Sequence, residues 1–300
     1  MKVPLQHPSV GRPITRRGIS FMPVYIPGDT ANDISSGGAD VTITERDLGE
    51  VPTLLATNTS TRPVLLTEGE TVNGGRQNRV LNTSVLIPAD TALEIPVSCV
   101  EQGRWNAGHV FERSGWKAPR RVRRAASVGV VANGIDNGHR HSDQAQVWHA
   151  VDAELHRFDA QNSTANLDAA RHQIGARDRA VAVAVDELVN AGPLPGQRGV
   201  LVFHGARLVA CECFASNELL RANWEGLIGT HMLEASAERT SRPSATRALS
   251  FLHHFAQRDH VATPGVGLGW DAMLRSRRYT GQALVWDDRL IHASVFALAA

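Results

Sequence analysis

The chain has 300 residues, 42% of them hydrophobic, which is enough to bury a substantial core in one or two domains. Its 31 basic and 30 acidic residues leave a net charge of +1, which argues against a global attraction to nucleic acid or to membranes. No stretch approaches the roughly 18 apolar residues of a membrane helix, and the first residues lack the apolar segment of a signal peptide. The three cysteines form no CxxC pair, a pattern typical of reduced, buried thiols in a cytoplasmic protein.

The N-terminal part of the chain is predicted to be rich in β-strand. Between residues 39 and 105, short β-branched segments alternate with Pro, Gly, Asn and Asp, which is typical of an antiparallel meander or a small barrel. Residues 106–141 have little periodicity, so we predict a solvated, mobile loop inserted into the domain. This segment contains a basic run that consists of Lys117, Arg120, Arg121, Arg123 and Arg124.

The C-terminal part is predicted to combine helices with two β-hairpins. Apolar spacings of three and four predict helices that begin after Ser142 and Ser216, or that run over about 178–190 and 244–256. The two hairpins are predicted to turn at residues 204–206 and 287–288. We therefore predict an α+β fold: an antiparallel β-rich N-terminal region and two C-terminal β-hairpins form sheets, with three or four helices packed against them. Residues 1–300 are predicted to form one domain.

Polar side chains flank the strand-like segment between residues 80 and 100. They are Gln77, Asn78 and Arg79 on one side, and Glu101, Arg104 and Trp105 on the other. If 79–87 and 93–100 run antiparallel around a turn at 88–90, the outer ends of the two strands meet. The two guanidinium groups are then neighbours, and their repulsion requires compensation by carboxylates or by a bound anion.

The residue types in this cluster suit an anionic ligand. Arg79 and Arg104 are predicted to bind phosphate or carboxylate in a bidentate fork, while Gln77 and Asn78 orient a sugar or base. Trp105 offers a surface for ring stacking. The remaining member, Glu101, is the candidate general base. A polar network that only ties loops together is the alternative, and the residues by themselves leave both interpretations open.

The glycines, the histidines and the basic run bear on further ligand sites. Gly265, Gly267 and Gly269 alternate in GVGLGW, and such a loop lets backbone N–H groups approach a phosphate closely, so we include the three glycines as candidate ligand contacts. The 13 histidines include no pair with the spacing of a zinc motif, so no metal site is predicted. The basic run lacks the aromatic residues of a single-strand binder, so nucleic acid is not a predicted partner.

The segments GETVNGGRQNRVLNTSVLIP and IPVSCVEQGRW resemble the signature of the ARPP domain family, the ARG and Rhodanese-Phosphatase-superfamily-associated proteins of bacteria. VLVFHGARLVACECF, GVGLGWDAML and GQALVWDDRLIHASVF are similar to the same family, whereas the basic region at 114–145 matches none of it. The family takes its name from gene association with ADP-ribosylglycohydrolases and rhodanese- or phosphatase-like proteins. The resemblance therefore implies a role near NAD-derived or ADP-ribose metabolites, and it assigns no catalytic residue.

The sequence is consistent with two functions. The first is a cytoplasmic protein that binds an anionic nucleotide-like metabolite such as ADP-ribose, either by binding alone or as an enzyme that also processes it. The second is a non-catalytic accessory protein whose polar cluster is structural. Geometry distinguishes them: an open pocket joining Arg79, Glu101, Arg104 and the glycine loop favours the first, and mutual burial and pairing favour the second. Cofactor and oligomeric state are not predicted.

Overall fold

The structure is a computed structural model that describes residues 1–28, 31–46, 52–105, 108–169, 178–236 and 240–298. Its fold is α+β with antiparallel sheets, as predicted. The chain forms two compact units, the first made of Met1–Asn32, Ala180–Pro264 and Gly269–Ala300, the second of Asp33–Arg179 and Gly265–Leu268. That residues 1–300 act as a single domain stays a prediction. No helix in the described ranges is both long and apolar enough to span a bilayer.

The first unit is built on a nine-stranded antiparallel sheet. Its strands are β1 (Ser9–Val10), β2 (Ile14–Arg16), β3 (Ile19–Tyr25), β12 (Gln197–His204), β13 (Arg207–Phe214), β14 (Val261–Pro264), β15 (Trp270–Arg275), β16 (Tyr279–Trp286) and β17 (Arg289–Ala297). Their order is β1-β3-β12-β13-β17-β16-β15-β14, and β2 pairs with β3. The C-terminal strands thus share one sheet with the strands nearest the N-terminus.

Both predicted hairpins are confirmed in this sheet, as β12–β13 and β16–β17. The second turns at Asp287 and Asp288, whose φ angles of 52° and 53° suit the right-handed twist of the flanking strands. The helices α3 (Arg179–Ala191), α4 (Asn217–Met232) and α5 (Ala245–Gln257) follow the predicted ranges closely. As predicted, Ser216 caps its helix, because its side chain accepts a hydrogen bond from the Leu219 N–H.

The second unit contains a closed barrel of six strands. The barrel strands are β4 (Val41–Thr44), β5 (Thr53–Asn58), β7 (Glu70–Gly74), β8 (Arg79–Leu81), β10 (Thr91–Cys99) and β11 (Val110–Lys117). Their order around the barrel is β10-β5-β4-β11-β7-β8. The short strands β6 (Val64–Leu66) and β9 (Val85–Ile87) pair separately. A buried apolar cluster that includes Ile43, Leu54, Val72, Ile95 and Val97 forms the core of this unit.

Two helices pack on the outside of this unit, α1 (Arg120–Asn137) and α2 (Gln144–Arg157). Their buried face combines Val122 and Ala126 with Val147 and Val151, and Val80 of β8 belongs to the same cluster. The N-cap of α2 is Asp143 rather than the predicted Ser142, since the Asp143 carboxylate accepts from the backbone N–H groups of the first turn.

The prediction of a mobile loop at 106–141 is wrong for most of its length, because β11 and α1 occupy residues 110–137; residues 106 and 107 lie outside the described part of the chain. Clustered arginines and two glycines obscured the helical spacing. Gly129 is needed for packing, since a Cβ there would lie 2.6 Å from the Asp143 nitrogen. The basic run is solvated only in part: Lys117, Arg120 and Arg123 are buried, whereas Arg121 is exposed.

Candidate functional site

The predicted polar cluster lies at one end of the barrel. In the pairing of β8 with β10, Arg79 stands directly opposite Cys99. Side chains alternate along β8, so Val80 packs with the helices while Leu81 joins the barrel core. Arg79 shares the inward side with Leu81 and is completely buried. The prediction that the two ends of the segment meet is therefore confirmed.

The hairpin itself is shorter than predicted. Only 79–81 pairs with 97–99, whereas 91–96 pairs with β5 and 85–87 pairs with β6. The barrel closes through these other pairings, because a closed sheet satisfies the hydrogen bonds that a long isolated hairpin would leave at its edges.

The Glu101–Arg104 pair forms the structural half of the cluster. Arg104 donates from Nε to the Glu101 carboxylate at 2.8 Å. Its Nη atoms donate to the backbone oxygens of Gly75 at 2.9 Å and Gly74 at 3.0 Å, and to the Asn78 side chain at 3.0 Å. A single guanidinium thereby ties the loop after β10 to the loop before β8.

Glu101 is saturated with hydrogen bonds. One carboxylate oxygen accepts from Arg104 and from the Asn78 N–H, and the other accepts from Thr164 and Asn166. Burial by itself raises the pKa of Glu101, but these hydrogen bonds and the Arg104 charge outweigh it and lower the pKa below its ordinary value. The contacts favour a structural role over the predicted role as general base.

The lowered pKa makes an acid-dependent prediction. A carboxylate whose pKa falls on folding stabilises the fold above its unfolded pKa of about 4.3, and this contribution is lost as pH falls through the folded pKa. We expect the gap in melting temperature between wild type and Glu101→Gln to be largest near neutral pH and to shrink below about pH 4. The exposed Glu94→Gln is the control; an equal gap at pH 7 and pH 3 for Glu101→Gln would contradict the assignment.

Removal of Arg104 tests the structural role directly. We expect Arg104→Ala to lower the free energy of unfolding by about 2 kcal/mol or more, because the buried Glu101 carboxylate loses its charged donor. Chemical denaturation measures this, with Arg46→Ala as the matched control: Arg46 pairs with Glu94 at 3.2 Å on the surface, where a pair contributes about 1 kcal/mol or less. Equal effects of the two substitutions would refute the role.

Arg79 is held quite differently. Its Nη1 donates to the backbone and side-chain oxygens of Gln77, at 3.0 and 3.2 Å. Its Nε and Nη2 are buried and have no hydrogen-bond partner in the part of the chain that the structure describes. The nearest carboxylate oxygen, Oε1 of Glu45, lies 3.9 Å from Nη2, beyond hydrogen-bond distance. Burial lowers the pKa of Arg79, because the charged form is poorly solvated there.

The Trp105 indole lies beside this guanidinium. Its ring centroid is 6.0 Å from Cζ of Arg79 and 5.4 Å from Cζ of Arg76, and the residue is 49% exposed. Two cations thus lie over one indole ring, and about half of the Trp105 surface is open to solvent. Gln77 and Asn78 are both buried. Their amide oxygens accept hydrogen bonds from Arg79 and Arg104, respectively, so these oxygens are already used within the cluster.

Gly267 of the glycine loop lies away from this end of the barrel. A Cβ on Gly267 would lie 2.1 Å from the Leu86 oxygen and 3.5 Å from Leu93, and the Leu268 N–H donates to the same oxygen. Leu93 lies six residues along β10 from Cys99, about 20 Å away at the rise of a β-strand. Gly267 and Arg79 therefore do not line one open pocket, because Gly267 packs closely on β9. Ligand contacts by Gly265, Gly267 and Gly269 stay a prediction.

Sequence reasoning missed two members of the cluster, Glu45 and Arg76. The backbone N–H of Arg76 donates to Oε1 of Glu45 at 2.8 Å. Oε2 of Glu45 is buried, and no described residue donates a hydrogen bond to it. A signal for Glu45 was present: Val41 and Ile43 point inward, so the next inward position of the same alternation is Glu45.

The thiols carry a prediction of their own. Cys99, Cys211 and Cys213 are free and buried, and burial chiefly raises the pKa of Cys99 to about 11. Because the thiolate is the reactive form, we expect all three to be labelled slowly by a thiol reagent in the native state and quickly in denaturant. Rapid labelling under native conditions at pH 7.5 would contradict this. Denatured protein in the same experiment supplies the full-reaction reference.

The geometry defines an α+β protein with a candidate anion-binding site at one end of a six-stranded barrel. A family model described as the ARG and Rhodanese-Phosphatase-superfamily-associated Protein domain matches residues 7–296, and the chain belongs to this family. Neither the curated proteins nor the solved structures contain a significant match to the chain.

Proposed function

We propose that the protein binds an anionic, nucleotide-like metabolite, of which ADP-ribose is an example, through Arg79 at the end of the barrel. One observation carries the proposal: the Nε and Nη2 donors of Arg79 are buried, and no described residue offers them a hydrogen-bond acceptor. These two atoms form one edge of the guanidinium, the edge that holds a carboxylate or phosphate oxyanion in a bidentate manner. Buried donors without acceptors are rare because each costs free energy, so an acceptor supplied by a ligand is a direct explanation.

Trp105 provides the second part of the proposed site. Both free donors of Arg79 are shielded from solvent, and the indole is their exposed neighbour. In the proposal the indole rotates away as the anion enters and then stacks on the base or sugar. Unpaired, buried cysteines support the bacterial cytoplasm as the place of action.

The saturated Glu101–Arg104 pair favours a second candidate function, a non-catalytic accessory protein in which the cluster only joins loops. The two candidates differ in what they say about Arg79. A purely structural role leaves the edge of Arg79 without an acceptor unexplained. An anion-binding role explains it, because the anion supplies the acceptor.

A thermal-shift screen tests the proposal. ADP-ribose, mononucleotides and neutral nucleosides are added to the full chain, and the melting temperature is followed against concentration. A ligand that binds only the folded state stabilises it by about 2.7 kcal/mol at 100 times its Kd. We expect a concentration-dependent rise with anionic compounds, which Trp105→Ala weakens. No rise with any anion up to millimolar concentration would favour the accessory function.

A further inference from the structure

The charges at the barrel end do not balance. Among its described residues the cluster holds three guanidinium groups, those of Arg76, Arg79 and Arg104, and two carboxylates, those of Glu45 and Glu101. Subtracting two negative from three positive charges leaves one positive charge. The Cys99 thiol does not alter this count near neutral pH, because its pKa is raised, chiefly by burial, to about 11.

The two carboxylates are not equivalent. Glu101 is engaged by Arg104 at 2.8 Å and has no oxygen free. Glu45 uses one oxygen for the Arg76 N–H, and its second oxygen is buried without a partner among residues 1–28, 31–46, 52–105, 108–169, 178–236 and 240–298. This carboxylate lies 3.9 Å from Nη2 of Arg79, so it borders the unoccupied edge of the guanidinium.

An anion bound at this edge therefore meets one uncompensated positive charge and one adjacent carboxylate. A single negative charge on the ligand neutralises the cluster. A second negative charge on the same carboxylate or phosphate group finds no further cation among the described residues of the cluster. It is repelled by Glu45 in a site shielded from solvent, where such interactions are stronger than in water. Each phosphate of a pyrophosphate such as that of ADP-ribose carries one charge and meets this condition.

We propose that the Arg79 site selects bidentate oxyanions that carry one negative charge, carboxylates or phosphodiesters, and rejects phosphomonoester dianions, with Glu45 as the residue that determines this selectivity. The inference rests on the proposed function and adds the charge class of the ligand. It also adds a specificity role for Glu45, which is distinct from the anchoring role of Arg79.

Calorimetric titration with four adenosine compounds at pH 8 tests the inference. The four compounds share the adenine base and differ in the charge of the group on the ribose. Adenosine is neutral, adenosine 5′-carboxylic acid and 3′,5′-cyclic AMP carry one charge, and AMP carries two because its second phosphate pKa is about 6. We expect both singly charged compounds to bind at least about tenfold more tightly than AMP, which corresponds to about 1.4 kcal/mol. The carboxylate and diester arms tell which of the two oxyanions is preferred.

The matched variant is Glu45→Gln, with the exposed Glu94→Gln as its control on the same barrel. Glu45→Gln is expected to bind AMP at least about tenfold more tightly than wild type does, while Glu94→Gln leaves every affinity unchanged. A second measurement needs no variant: wild-type affinity for AMP rises as pH falls through about 6 and the phosphate becomes singly charged, whereas the affinity for cyclic AMP stays constant.

The outcomes separate the two proposals. AMP binding as tightly as the singly charged compounds at pH 8, with no gain in Glu45→Gln, overturns the charge selectivity and leaves anion binding at Arg79 in place. Affinities no higher for the three anions than for neutral adenosine overturn the proposed function and the selectivity together.

Discussion

Arg123→Ala is expected to lower the free energy of unfolding by about 3–5 kcal/mol, the largest effect of any single substitution considered for this chain. The guanidinium of Arg123 is completely buried and holds Glu68 through both of its oxygens, at 3.3 and 2.5 Å. Truncation leaves a buried carboxylate without its cation, and the loss of the counter-charge costs more than the lost contacts. Denaturant unfolding followed by circular dichroism measures the change.

The neighbouring backbone is adapted to this pair. Gly69 has a φ of +79°, and a Cβ there would lie 2.1 Å from Nε of Arg123, so only glycine leaves room for the guanidinium. Arg121→Ala is the control on the same helix. Arg121 is largely exposed, and its partner Glu154 keeps Arg157, so we expect a change of about 1 kcal/mol or less.

A double substitution completes the Arg123 test. Arg123→Met with Glu68→Leu removes both charges and keeps apolar volume, so it should recover most of the stability that Arg123→Ala loses. An Arg123→Ala protein as stable as the Arg121→Ala control would refute the buried pair.

Arg79→Met is expected to have the second largest effect, and in the opposite direction. The substitution removes two buried donors that have no acceptor among the described residues, and it leaves two guanidinium groups, those of Arg76 and Arg104, for the two carboxylates of the cluster. The unliganded protein should therefore gain roughly 1–3 kcal/mol, the cost of buried polar groups left without partners. The side chain of Gln77 keeps the Cys99 thiol as a partner at 3.1 Å, which limits the cost of the change.

The same variant should lose its response to ligand. Wild type and Arg79→Met are melted with and without the anion that gives the largest shift, and only wild type is expected to be stabilised. Arg46→Met is the control for loss of a surface cation and should respond as wild type does. A destabilised Arg79→Met protein that still responds to the anion would defeat the binding role of Arg79.

Several parts of the site were predictable because they depend on local patterns. The meeting of Arg79 with the end of β10 followed from period-two alternation and a central turn, since antiparallel strands bring sequence-distant ends together. The hairpin at Asp287-Asp288 was predictable because two polar residues that tolerate positive φ separate apolar strands. The roles of individual cations were not predictable in this way.

The basic run illustrates why. Composition predicts that clustered arginines stay in water, yet Arg123 pairs with the carboxylate of Glu68, in the turn between β6 and β7, which precedes it by 55 residues. The glycine loop shows the same limit, because three alternating glycines suit a phosphate loop and a close backbone contact equally well. The position of Leu86 accounts for Gly267, while ligand contacts by the loop stay a prediction.

The sequence by itself determined the α+β class, the strand-rich first region, the two hairpins and the meeting of the polar ends, because periodicity and turn chemistry act between near neighbours. Only the tertiary structure decided how the two arginines are bound. Arg104 donates its hydrogen bonds to Glu101 and to backbone oxygens, while one edge of Arg79 stays without an acceptor among the described residues. That difference depends on where β4 places Glu45 and where the chain places Trp105. Hydrogen bonds and charge pairs act over a few ångströms in space, and sequence separation carries no information about such distances.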